Sequence, residues 1–413
     1  MDTGRCIVFP SGGCPENMSS TETAVFNFRA YVIPVLLCVG IPANLFVLVI
    51  FIRLQKKSAC RFNIYAMGIA VAHVFQCIFE ALLDHFIGRG LWYASGCRLT
   101  FKLDIQSELS CKLVSYLPAA TQLLSATLLV SFTIDRTVTI FRPIHSRGDI
   151  HLQYAQLDIL ACFLFSFISF IPAALFYNIV DKGEGQCSCA LSNPTSPGAR
   201  YVILMSVFCS YTVPTFVILI LNVIICYKLK YIVQGKQLVA KASARQKIER
   251  RRILGHLGVC SLFLFLSLPL VIVMAIRQHS DAMQYSVSNS AYHQEVVQLT
   301  KFFNSFTAIQ YSSDIWVYLL FLPNVRSEAI RLLCGYIWVY LLFLPNVRSE
   351  AIRLLCGCKC LTKFEIVRRF IKRHVRTTSA ERQWKLARRE KGVGKKAKDI
   401  DASDSAGTCD SDR

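Results

Sequence analysis

Seven stretches of the chain stay apolar for about the length a helix needs to cross a bilayer, and polar residues separate them. They run from Tyr31 to Ile52, Phe62 to Ile87, Cys111 to Phe141, Leu157 to Val180, Tyr201 to Tyr227, Ile253 to Ile276 and Val296 to Leu322. A hydrocarbon core about 30 Å thick takes roughly 20 helical residues. The pattern predicts an all-α membrane protein, a seven-transmembrane helix bundle whose odd number of crossings puts the termini on opposite sides. Residues 1–30 then form a polar arm, 31–325 the bundle and 326–413 a basic tail.

Composition agrees with this and adds an orientation. The chain is 54% hydrophobic with mean hydropathy +0.43, yet carries a formal charge of +20 over 413 residues, so the charge must be segregated. Arg53, Lys56, Lys57 and Arg61 fall in the first connection and Arg142 and Arg147 in the third. Nine Lys and Arg from Lys228 to Arg252 crowd the fifth. Short loops rich in Lys and Arg stay cytoplasmic, which places the N-terminus outside and the basic tail inside. Asn17-Met18-Ser19 is then a glycosylation acceptor in the right compartment. No basic flank followed by a long apolar run precedes the first segment, so that segment is expected to direct insertion.

The tail contains a perfect repeat. Ile315 to Gly335 recurs residue for residue as Ile337 to Gly357. Structural repeats come in three or more diverged copies, so one identical pair reads as a recent duplication or an exon counted twice. The first copy has enough apolar sequence upstream to finish the seventh helix. The second has only Tyr336 to Leu344, about half a span. Beyond it, Leu361, Phe364, Val367, Phe370 and Ile371 alternate with basic residues at helical spacing, as in a helix lying on an anionic leaflet or a solvated one. A basic tail tethered there meets lipid or signalling proteins rather than nucleic acid.

The third segment ends in Asp135-Arg136-Thr137, 24 residues beyond Cys111 and shortly before Pro143. An acid beside an arginine can hold the guanidinium in one state and release it in another. Glu249, at the inner end of the sixth segment, is a second partner for Arg136. Gly40, Asn44 and Val47 in the first segment, Pro214 and Pro269 in the fifth and sixth, and Asp314 with Tyr318 in the seventh complete a set. Together these residues resemble the rhodopsin-like, class A, G-protein-coupled receptors over about 300 residues. Pro214 to Asn222 and the absence of Trp from the sixth segment resemble more loosely the invertebrate FMRFamide-like neuropeptide receptors.

The resemblance implies a plasma-membrane, multi-pass receptor that is not an enzyme and passes extracellular ligand binding to a heterotrimeric G protein, with arrestin and receptor kinases as further partners. It assigns Asp135, Arg136, Glu249, Asp314 and Tyr318 to coupling and switching. It also implies a disulfide from Cys111 to Cys187 or Cys189, the second being the assignment taken, and palmitoylation at Cys356 and Cys358. Cys97 is available for the other loop cysteine, and Cys6 and Cys14 are near enough in sequence to pair. Several positions depart from the family. Thr137 stands in place of an aromatic, Ser267 of a Trp and Ile315 of a Pro, and His73 stands in place of an Asp, where an imidazole cannot supply the anionic oxygen of the family's sodium site.

Pro118 stands where amine receptors carry a carboxylate and Ala308 where opsins carry a Lys, so neither ligand class fits. Glu80 and Asp84, with Gln122 and the loop acids Asp181 and Glu184, form the expected contact set for a peptide, the acids facing a basic one. The eight histidines are scattered and no metal or cofactor set stands out. A transporter or channel-like protein is the alternative, but the chain shows neither an inverted repeat nor paired broken helices.

Overall fold

A computed structural model describes residues 14, 18–99, 102–141, 149–181, 187–193, 196–236 and 244–343. Asn17, Glu184, Cys356 and Cys358 lie outside them. Six helices are long and apolar enough to cross a membrane: α1 (Ser20–Lys57), α2 (Arg61–Ala94), α3 (Glu108–Phe141), α4 (His151–Phe176), α5 (Pro197–Lys230) and α6 (Ile248–Ala282). The seventh crossing comes in two pieces, α7 (Ser290–Phe306) and α8 (Ala308–Phe321), broken at Thr307. α9 (Pro323–Phe343) follows and runs across the junction of the two repeat copies.

The surface of the bundle is greasy where a bilayer would touch it. Val35, Phe265, Trp316 and Leu320 are each more than 60% exposed, an outcome water would not tolerate and lipid does. Inside, Phe51, Phe62 and Tyr318 form an aromatic cluster, Phe51 and Tyr318 meeting edge-on at 5.2 Å. Ile315 and Tyr318, from the first repeat copy, are buried in this bundle.

Helix boundaries differ from the apolar runs. α1 begins at Ser20, whose preceding Ser19 side chain accepts from the Glu22 N–H as an N-cap, so the helix reaches well into residues that composition alone marks as a polar arm. The fourth apolar run, read to Val180, ends as a helix at Phe176. Tyr177–Asp181 (β1) and Cys187–Leu191 (β2) pair antiparallel, Asp181 opposite Cys187.

Three segments are π-helical: Phe28–Val32 in α1, Cys77–Gly90 in α2 and Met205–Thr212 in α5. Pro34 and Pro214 stand just after the first and third. A proline ring clashes with the carbonyl four residues earlier, and a wider turn gives it room. The second segment has no such proline. It does contain Gly90, where a Cβ would come within 2.4 Å of the Arg29 carbonyl oxygen, so α1 and α2 meet there backbone to backbone.

Candidate functional site

The inner end of α3 carries a compact ionic cluster. Arg136 is 4% exposed and its Nε donates to Asp135 Oδ2 at 3.1 Å, with Nη2 on the same oxygen. Its Nη1 reaches Glu249 Oε1 on α6 at 3.4 Å. The guanidinium also sits over the Phe62 and Phe132 rings at 5.7 and 5.6 Å. Two residues not singled out for this site complete it. Arg61 Nη1 lies 2.6 Å from Asp135 Oδ1, joining α2 to α3, and Arg252 shares Glu249 through Oε2 at 3.2 Å. Arg61 counts in the sequence only as one more loop cation, because nothing in local spacing says it turns inward.

Halfway along the bundle a second polar cluster links α2, α3 and α8. His73 Nδ1 lies 2.9 Å from Asp314 Oδ2, an ion-pair distance off the hydrogen-bond line, and His73 Nε2 is 3.0 Å from Ser125 Oγ. Both partners are nearly inaccessible. The imidazole thus occupies the neighbourhood of the very carboxylate a cation would seek. Tyr311, 1% exposed, donates its one phenol proton towards Glu80 Oε2 at 3.0 Å and Gln122 Oε1 at 2.6 Å, and Gln76 donates to Gln122 as well. Asn44 Nδ2 donates to the Tyr311 carbonyl at 2.5 Å and the Gly40 carbonyl at 2.9 Å. A Cβ on Gly40 would meet Ser312 Oγ at 2.5 Å, so this glycine and asparagine dock α1 on α8.

Towards the disulfide-bearing end, Asp84 accepts from Arg89 at 2.6 Å and contacts His85 Nδ1 at 3.0 Å. Glu80 and Asp84 both border His85, Glu80 Oε1 lying 3.8 Å from its Nε2. The chain is π-helical from Cys77, so each turn holds more residues and both acids turn away from the face that an α-helical count from His73 gives them. Glu80 also faces Tyr311 across the bundle, while Asp84 is engaged along its own helix. Asp181 is exposed at the end of β1. Burial pushes the Tyr177 phenol at the start of that strand above its ordinary range, with the Asp84 charge adding to it.

Cys111 pairs with Cys189, Cα to Cα 5.5 Å, and Cys14 pairs with Cys97, 5.1 Å. This corrects two expectations: Cys97 does not take the remaining loop cysteine, and Cys14 does not pair with Cys6. Cys187 is disulfide-bonded too. Gly96 and Cys97 adopt left-handed backbone conformations, φ 66° and 61°, and this turn leaves Cys97 buried against the arm instead of out in the loop. Among the described residues no three His, Cys, Asp or Glu gather as a metal site.

Seven apolar crossings, disulfides at one end and an arginine clamped between two helices at the other define a membrane receptor of the seven-helix class. The seven-transmembrane receptor profile of the rhodopsin family matches residues 43–310, and the chain belongs to that family. It is 28% identical over 298 residues to the somatostatin receptor type 5 of Bos taurus, covering 70% of this chain and 75% of that one. To the mesotocin receptor of Rhinella marina it is 23% identical over 237 residues, 57% of this chain and 56% of the relative. The leukotriene B4 receptor 1 of Mus musculus matches at 24% over 181 residues, 44% and 47%. The chain spans about half the length of the last two relatives.

Proposed function

We propose that the chain is a plasma-membrane G-protein-coupled receptor for an extracellular peptide. The observation that carries the reading is the Arg136 clamp: one guanidinium ties α3 to itself through Asp135 and to α6 through Glu249 at 3.4 Å, while Asp135 also holds Arg61 of α2. Separation of Arg136 from Glu249 frees the inner end of α6, and the opened face is where a heterotrimeric G protein docks. A ligand shifts that equilibrium only by binding one arrangement better than the other. The buried chain from Glu80 through Tyr311 to Gln122, with His73 and Asp314 beneath it, is the physical link by which occupancy outside is felt further in.

In this reading Asp84, Asp181 and Glu184 meet the ligand at the outer end, and Glu80 and Gln122 stand behind them. Two of the relatives named above are receptors for peptides by their names, which favours a peptide over other ligand classes. Asn17 carries a glycan outside, Cys356 and Cys358 carry palmitate inside, and the basic tail meets anionic lipid, arrestin and receptor kinases. The test is expression in cells with a G-protein dissociation reporter and a peptide library. A peptide that triggers dissociation in cells carrying the chain and not in parental cells supports the reading. No response to any peptide, together with basal signalling that no change at Glu249 alters, would overturn it.

A further inference from the structure

Four cations from four helices converge at the disulfide-bearing end, and among the described residues two of them, Arg29 and Lys301, have no carboxylate at ion-pair distance. Arg29 of α1 is 3% exposed. Its Nε donates to Ser305 Oγ at 2.7 Å and its Nη2 to the Lys301 carbonyl at 3.4 Å, while Ser305 passes its own proton to that same carbonyl. These neutral acceptors satisfy N–H groups but not the charge; among the described residues no carboxylate pairs with Arg29 directly, and Asp84 and Glu80 act on it only from a distance. The ammonium of Lys301, on the exposed side of α7, likewise has no direct ion pair among the described residues, Glu22 being the acid that acts on it from further away. Arg89 of α2 has Asp84 at 2.6 Å. Arg277 of α6 has only the half-exposed Asp281 at 4.0 Å, and its buried Nε lacks a hydrogen-bond acceptor. The charges of Arg29, Arg89 and Arg277 all act on the Lys301 ammonium.

The acids that the sequence offers as a negative mouth are held elsewhere and do not reach Arg29 or Lys301 directly. Glu80 is taken up by Tyr311, and Asp84 is divided between Arg89 and His85. A guanidinium buried without a close counter-charge is costly to keep, and an anionic group that reached it would offset that cost. Guanidinium groups match a carboxylate with two parallel N–H donors, and a lysine adds a point charge.

We propose that Arg29 and Lys301, backed by Arg89 and Arg277, form an anion subsite that receives a carboxylate at one end of the ligand. The inference rests on the peptide-receptor reading only for the ligand's backbone. It adds that the peptide ends in a free carboxylate and not in an amide. A carboxylate can also come from a fatty acid, so the experiment separates the two sources.

The full chain is purified into nanodiscs and its melting followed with a thiol-reactive fluorophore. Three probes are compared: a mixed-sequence heptapeptide pool with free C-terminal carboxylates, the same pool amidated, and decanoate. The free-acid pool is expected to raise the melting temperature by about 3 °C, the amidated pool by less than a third as much. Lys301→Gln, an exposed change that should leave folding intact, is expected to remove at least half of the rise, and Arg29→Gln the rest. Equal stabilisation by both pools, no stabilisation by any probe, or an undiminished response in Lys301→Gln overturns the subsite. Stabilisation by decanoate alone supports the subsite and overturns the peptide. Failure of the receptor reading itself is read separately, in the G-protein response to changes at Glu249.

Discussion

Removing the Glu249 carboxylate should raise signalling in the absence of ligand, and the size of the rise follows from the geometry. At the observed Nη1–Oε1 separation of 3.4 Å a bare pair of charges attracts by about 1 kcal/mol in a water-like medium and about 5 kcal/mol at an effective dielectric of 20. The lower figure governs here for two reasons. The Glu249 side chain is 37% exposed, and Arg252 draws on the same carboxylate at 3.2 Å. Exposed pairs of this kind contribute about 0 to 1 kcal/mol. The buried Arg136 end places this pair in the upper half of that range, about 0.5 to 1 kcal/mol, so Glu249→Ala should shift the population towards the released state by roughly two- to fivefold. The measurement is basal nucleotide exchange on a G protein in membranes of matched receptor density, at low and high salt. Screening weakens the pair, so basal exchange by the unmodified receptor should climb with salt while that of Glu249→Ala stays flat. Equal basal exchange for the two proteins, or the same salt slope in both, would mean that the contact does not restrain α6.

Three further outcomes are expected. Tyr311→Phe removes the phenol donor facing Glu80 and Gln122 and should lower thermal stability by about 1 to 3 kcal/mol, seen as earlier melting of the purified receptor; an unchanged melt would show that these acceptors find other donors. Gly90→Ala, whose Cβ would strike the Arg29 carbonyl oxygen, should cost about 1 to 3 kcal/mol and reduce surface expression. Gly96→Ala, with open space but φ 66°, should cost only about 1 kcal/mol, and the reverse ranking would refute the backbone-contact argument. Deleting residues 336–357 should preserve surface expression and ligand response, because Ile315 and Tyr318 of the first copy already fill the bundle; loss of folding in the deletion alone would sink that assignment.

Much of this molecule is visible in the one-dimensional pattern, and the remainder is hidden for identifiable reasons. The seven crossings follow from apolar length. The approach of Arg136 to Glu249 follows from two helix ends known to share a membrane face. Pairings that depend on which way a side chain turns are another matter. His73 stands out in the sequence as a departure and Asp314 as a landmark, yet their contact emerges only when α2 and α8 pack. Arg29 reads as the last polar residue of an arm, because the helical residues before it, from Ser20 to Phe28, have no membrane-length signature. Cys97 reads as a loop cysteine, and the left-handed turn that buries it is a backbone property with only Gly96 to announce it. The π-helical stretch from Cys77 is the most misleading of these, since every angular argument beyond it assumes the wrong number of residues per turn.

That stretch has a bearing on how the sequence can change over time. A π turn is an α-helix that has absorbed extra length without losing its ends. In α1, α2 and α5 the absorbed length lies at Phe28–Val32, Cys77–Gly90 and Met205–Thr212, always on the side of the disulfides. Single-residue insertions and deletions at those places can be taken up by winding or unwinding one turn, while Asn44, His73 and Asn222 further along keep their places. Gaps in alignments of kindred chains should collect in these three windows and spare the inner halves. The disulfide-bearing rim is thereby free to drift in length, and the inner halves that carry the Arg136 cluster are not.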